Sequence, residues 1–330
     1  MLNKLIELAQ IQGSIDTECR FGGEWLYAIP AIKNTAMIHI VRHGKGWLYI
    51  NHKKIQINTG DVIFFPHGSA HQLIHFQENT SDDQVINNQT TQKQSIENQV
   101  IENQSIDNQI LEKQTKPIQH IESIQQATGL VLKTNHAPHL NLNLFCAHFS
   151  YSEHADLFIQ LPEFIHLNVE QLLVEPLLNL LEQENAQHIG QFKVINALSE
   201  VLLIYIFRTY LHTQHDSVSS RIIEWHNSKL SPLIHVILKS PEHKWSLDDM
   251  ALFLHCTRIQ LIRLFKKDLE TTPHAFLLKI RLQHASLLLK TSHLSIYNIA
   301  LNLGFQSETH FGRVFKQHYG MTAHFYRNAH

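Results

Sequence analysis

Two sets of side chains near the C-terminal end of this 330-residue chain have the types and spacing needed to touch a nucleic acid. The first is Thr257, Arg258, Ile259, Ile262, Arg263 and Lys266; the second is Ser307, Glu308, Thr309, Arg313 and Lys316. An arginine fork pairs bidentately with guanine, an isoleucine meets a thymine methyl, and hydroxyl and ammonium groups hold phosphates. Arg263 and Arg313 have a second reading, as phosphate contacts or as braces of their own helices. Gly312, inside the second set, brings no side chain, which suits close backbone approach or a weaker reader.

Chemistry of this kind requires a helix held against the major groove, and the flanking pattern supplies one. Ile299, Ala300 and Leu303 lie three and four apart on one helix face, and Gly304 follows where the helix must stop and turn. Phe311, Val314 and Phe315 restart a helical stripe that leaves Thr309, His310 and Arg313 on another face. Helix, glycine turn and polar-faced helix is the helix-turn-helix plan. The plan occurs twice. Ala251, Leu261, Arg263, Phe265, Lys266, Leu269 and Thr272 recur as Ala300, Phe311, Arg313, Phe315, Lys316, Tyr319 and Thr322, and the amphipathic stretch Pro273–Lys290 joins the copies. The spacing predicts recognition helices over Thr257–Lys267 and Ser307–His318, with Ser246 capping the helix before the first and Ser231-Pro232 opening the whole half.

This pair of repeats resembles the DNA-binding domain of the AraC/XylS family of bacterial transcription regulators, over residues 221–328. Glu270 and His255 stand where that family usually carries glycine, and Ala323 where it usually carries proline. The resemblance implies an all-α domain that binds double-stranded DNA, contact with RNA polymerase, activation of a promoter and a homodimer.

Charge divides the chain in the same place. Residues 221–330 hold fourteen Lys and Arg against seven Asp and Glu, a balance of +7, and residues 1–220 carry −9, so the net −2 hides a basic half suited to a polyanion. Cys19, Cys146 and Cys256 are widely spaced without a CxxC, so neither a disulfide framework nor a zinc site is expected, and a reducing cytoplasm fits. The most apolar window, Val194–Leu211, contains Ser199, Glu200 and Arg208 and reads as a buried helix rather than a membrane span.

The N-terminal half reads as β-structure over residues 1–76, with strands at Glu24–Ile29, Met37–Val41, Trp47–Ile50, Lys54–Asn58 and Val62–Phe65. Gly60, Pro66, Gly68 and His71 have the spacing G-x5-P-x-G-x2-H, which resembles the second signature of the cupin barrel found in sensor domains of one AraC-type subgroup. Residues 38–48 resemble that subgroup's second strand. From Gln94 a five-residue period rich in Asn, Gln and Ser marks residues 78–120 as a low-complexity, disordered insertion. Strands resume at Gly129–Lys133 and Leu140–Phe149, and helices follow at Val169–Glu184 and Gln191–Thr213. By resemblance such helices pack on the barrel and form the dimer contact.

His39, His67, His71 and His75 invite a metal reading. Metal-binding cupins use a paired histidine and a glutamate that this chain lacks, since Val41 stands where the second histidine belongs. No metal or cofactor is therefore assigned, and an apolar or aromatic effector is expected among His39, Trp47, Phe65 and His71. No paired carboxylates or nucleophile–base motif marks an enzyme. The expected chain is α+β with two domains: a cupin-like effector and dimerisation barrel with packed helices over 1–212, a linker at 213–220, and a double helix-turn-helix domain over 221–330. A metal-binding or enzymatic cupin fused to a DNA-binding module is the alternative, and a DNA binder without a ligand is a second one.

Overall fold

The computed structural model describes residues 2–76, 120–126, 129–152, 155, 161–168, 171–184, 188–213 and 228–329. The expected insertion, apart from His120, and the expected linker, apart from Thr213, lie outside them. The chain forms two compact units. One holds residues 13–149 and 163–210; the other holds residues 1–12, 150–162 and 211–330.

Among the described residues the first unit has ten strands: β1 (Gln12–Phe21), β2 (Trp25–Ile29), β3 (Thr35–Ile50), β4 (Lys53–Asn58), β5 (Asp61–Phe65), β6 (His71–His75), β7 (Glu122–Gln125), β8 (Val131–Thr134), β9 (Leu142–Ser150) and β10 (Ile165–Asn168). They pair in the order β10-β5-β3-β9-β1-β8-β7, with β4 and β6 on β3 and β2 on β6. The two runs expected at 37–41 and 47–50 are a single bent strand. Its first half pairs with β5, Met37 opposite Phe65, and its second with β4 and β6, Trp47 opposite Gln56 and Ile74. Gly44 sits at the bend with φ +96°, and a Cβ there would stand 2.0 Å from the Asn141 carbonyl oxygen. The strand therefore curls on itself and folds its inward side chains over one core. Phe21, Trp25, Met37, Leu48, Ile57, Phe65, Leu73 and Leu144 fill that core. Leu140, expected to open the strand that runs to Phe149, precedes it and is 45% exposed. Helices α2 (Gln171–Gln183) and α3 (Gln191–Thr213) follow the sheet, and Ser199 of α3 accepts from the Ile15 amide at 2.9 Å.

The second unit is helical. Residues 2–9, expected within β-structure, form helix α1 (Leu2–Ala9), whose Leu5, Ile6, Leu8 and Ala9 are buried. It packs on α4 (Ser231–Lys239) and on the long α7 (Pro273–Thr291), where Gln10 donates to Ser286 at 2.9 Å. The start of α4 differs by one residue from expectation. Leu230 is its N-cap, without a side-chain bond, and Ser231-Pro232 form the first turn.

Around α7 stand two copies of one arrangement: α5 (Leu247–Phe253) with α6 (Arg258–Leu269), and α8 (Ile296–Asn302) with α9 (Glu308–Tyr319), closed by α10 (Ala323–Asn328). Each recognition helix starts one residue later than expected, because Thr257 and Ser307 are N-caps, and each ends at residue 269 or 319. The turns keep left-handed backbone even where glycine is missing: His255 has φ +49° and Glu270 +53°, against +78° at Gly304 and +73° at Gly320.

Candidate nucleic-acid interface

Local sequence fixes where each recognition helix begins. The Thr257 hydroxyl oxygen accepts from the Gln260 amide at 3.2 Å while the Gln260 side chain accepts from the Thr257 amide at 2.9 Å, a capping box that satisfies two otherwise unpaired donors. Ser307 accepts from the His310 amide at 3.1 Å. The oxygens of Thr257 and Ser307 thus serve the helix, and the O–H of each still has a proton to donate to a phosphate.

The apolar residues of both repeats then turn the helices the same way. Leu261 and Phe265 are buried in α6, as are Phe311 and Phe315 in α9. This leaves Arg258, Ile259, Ile262, Arg263 and Lys266 exposed on the first helix and Glu308, Thr309, Arg313 and Lys316 on the second. Ile259 and Ile262 are 64% and 42% exposed. Gly312 has nothing within 4 Å of where its Cβ would stand, so that part of α9 is open. A recess of about 370 Å³ beside α6 gathers Lys229, Arg263 and Lys267 over Leu254 and Leu264. The structure brings all eleven sequence-selected residues to the two recognition helices or their caps.

Three features escaped the sequence. Asp248 of α5 is ion-paired with Arg258, its two carboxylate oxygens accepting from Nε and Nη2. Lys229 and Lys267 extend the cationic strip. Arg281 of α7 donates to the carbonyls of Pro241 (2.7 Å), His243 (3.0 Å) and Gly304 (3.2 Å), tying the second turn down. Only the Asp248 spacing, ten residues before Arg258, gave any signal, and it is uninformative until the helices are placed.

In the barrel three of the four expected effector residues meet. Phe65 stacks on His71 with centroids 3.8 Å apart, and His39 Nε2 lies 2.6 Å from His71 Nε2. Trp47 is not brought to them. The bend in β3 shifts the in–out alternation by one, so Leu48 faces the core and Trp47 lies outside with the Lys54 ammonium 4.0 Å over its ring.

One carbonyl sets the protons of the histidine pair. His71 Nδ1 is 2.8 Å from the Ser69 carbonyl, which can only accept, so His71 carries its proton there and offers Nε2 as an acceptor. His39 must then donate from Nε2, and its Nδ1 accepts from the Cys146 thiol at 3.1 Å. All of these groups are neutral. Burial holds His39 well below the usual histidine range and His71 at about 4, and pushes the Cys146 thiol up. Since the two nitrogens of His39 point opposite ways, thiol and second imidazole do not converge on one point. Among the described residues no group of three or more His, Cys, Asp or Glu stands where it could hold a metal ion.

Comparison with known proteins agrees with this architecture. Residues 1–212 match a cupin family and residues 250–329 a helix-turn-helix domain. The chain is 34% identical over 334 residues to the HTH-type transcriptional regulator MtrA of Neisseria gonorrhoeae, covering 99% of this chain and 97% of that protein. It is 30% identical over 331 residues to an HTH-type transcriptional regulator of Haemophilus influenzae, covering 99% and 98%. It is 23% identical over 332 residues to the RCS-specific HTH-type transcriptional activator RclR of Escherichia coli, covering 99% and 96%. With a cupin domain ahead of a duplicated helix-turn-helix whose recognition faces are exposed, the chain belongs to the AraC-type family of DNA-binding transcription regulators.

Proposed function

We propose that this regulator is a homodimeric, effector-responsive activator that reads bases mainly through α6 and anchors to the backbone through α9. The observation that carries the reading is the difference in side chains between the two outward helix faces. The first presents two cations and two isoleucines at its start, and the second presents Glu308, Thr309 and no side chain at Gly312. Competition binding of the full chain against randomised sites tests it: preferences should cluster in one half of the site. Equal information in both halves would overturn the division.

The effector site proposed lies at His39, Phe65 and His71, where two buried imidazoles and an aromatic ring meet beside the apolar core, and takes an apolar or aromatic molecule with one hydrogen-bonding group. His71→Ala should abolish the effector response while DNA affinity without effector persists. Stoichiometric metal in the purified wild-type chain, lost in that variant, would favour the metal-binding cupin instead.

A dimer is supported by α3, where Val194 and Val201, 39% and 38% exposed, lie two turns apart on a face that also carries Ala197. Val201→Asp should give a monomer in sedimentation. Activation, through contact with RNA polymerase, accords with the RclR relative's description as an activator. The proposed setting is the cytoplasm, and no helix among the described residues is long and apolar enough to cross a membrane.

A further inference from the structure

The Asp248–Arg258 pair joins the starts of two helices. Asp248 is the second residue of α5 and Arg258 the first of α6, and Nε and Nη2 of the guanidinium donate to the two carboxylate oxygens. Asp248 is not needed to cap its own helix. The capping box there is closed by Ser246 and Asp249, with the Ser246 amide 3.0 Å from the Asp249 carboxylate.

A guanidinium has five N–H groups in a fixed plane. The carboxylate uses Nε–H and one Nη2–H along one edge. Both Nη1 hydrogens and the other Nη2 hydrogen remain, and the edge between Nη1 and Nη2 is a fork that fits guanine O6 and N7. One arginine can thus be held by aspartate on one edge and read guanine with the next. Without the carboxylate, a side chain 61% exposed at a helix start samples many rotamers, few of which aim the fork into the groove.

The second copy supports a joint role. There Tyr297 occupies the place of Asp248 and Glu308 that of Arg258, so both members of the pair are missing together. An aspartate kept for general surface charge would have no reason to accompany the arginine. Close to DNA it repels phosphate, so its presence beside a reading helix calls for a compensating task.

We propose that Asp248 is a specificity-determining positioning residue, which orients the Arg258 guanidinium toward a guanine in the major groove. This rests on the reading of Arg258 as a base contact, and the experiment separates the two. The full-length chain is bound to a randomised site in competition, with Arg258→Ala, Asp248→Ala, Asp248→Asn and the double variant Asp248→Ala/Arg258→Ala, and folding is checked by thermal melting.

Arg258→Ala should remove the preference at one guanine-containing base pair, roughly five- to 150-fold. Asp248→Ala should lower preference at that same base pair by at least about fivefold, leave other positions alone, and leave unspecific affinity equal or higher. The double variant should be no worse than Arg258→Ala, and Asp248→Asn, which keeps one acceptor, should fall between. If Arg258→Ala erases the preference and Asp248→Ala leaves it intact, sharpens it or changes all positions alike, the positioning role is overturned and the base contact stands. If Arg258→Ala changes no position, the base contact falls and the positioning role with it.

Discussion

Set side by side, the two helix-turn-helix units agree inward and part outward. Buried Leu261 and Phe265 of α6 recur as Phe311 and Phe315 of α9, and buried Ala251 recurs as Ala300. On the exposed faces Arg258 stands against Glu308, Ile259 against Thr309, and Ile262 against Gly312, with only Arg263/Arg313 and Lys266/Lys316 shared. Packing at crystal-like density tolerates few alternatives, whereas an outward residue answers only to what it touches. The turns differ as well. The second has a glycine held down by Arg281, and the first has His255 beside the open cationic recess. Two copies of one frame can thus be assigned to reading and to anchoring without any change of fold.

The largest effect expected is where the copies agree. Phe265→Ala and Phe315→Ala each empty a fully buried position and should each cost about 3–5 kcal/mol in chemical denaturation of the full chain. Values differing by more than about 2 kcal/mol would break the equivalence of the two cores.

Next come the turns. Gly304→Ala puts a Cβ 2.6 Å from the Glu242 carbonyl oxygen and 2.8 Å from Arg281 Nη2 at a left-handed φ, and should cost about 2–3 kcal/mol by the same measurement. A cost near zero would mean that the second turn is no tighter than the first.

The outward faces follow. Ile262→Ala should relax discrimination in the first half of the site by roughly 1–3 kcal/mol, and Arg313→Ala should weaken all sequences alike and lower the salt slope by about one. Randomised-site competition at two salt concentrations reads both. If Arg313→Ala erased preference at one base pair at constant salt slope, the roles of the units would be reversed.

The smallest effect is a gain. His255→Gly frees a side chain from a left-handed turn and should raise stability by about 0.5–1 kcal/mol, seen as a higher melting temperature. A loss would show that the imidazole holds the turn.

What the sequence made legible was local. Thr257, Ser307 and Pro273 mark helix starts by their own chemistry, and the 3.6-residue recurrence of Leu261 and Phe265 shows which side is buried. The shape of β3 was illegible, because the bend at Gly44 answers to the Asn141 carbonyl nearly a hundred residues away, and that bend moved Trp47 off the face of His39. The Asp248–Arg258 pair needed the relative placement of two helices. Helix α1 had the right spacing in Leu2, Leu5, Ile6 and Ala9, but eight residues ahead of a run of strands say little until the partner surface is known.

That partner surface has a consequence for how the protein is made. Gln10 beside α1 and Ser286 on α7 are 276 positions apart, so the helix leaves the ribosome long before its seat exists. At about 5–20 residues per second it waits roughly 15–60 s with an apolar face uncovered. The helical unit therefore cannot mature vectorially from one end of the chain to the other. One of its packing steps joins an early segment to a late one, across the whole time in which the barrel is being synthesised.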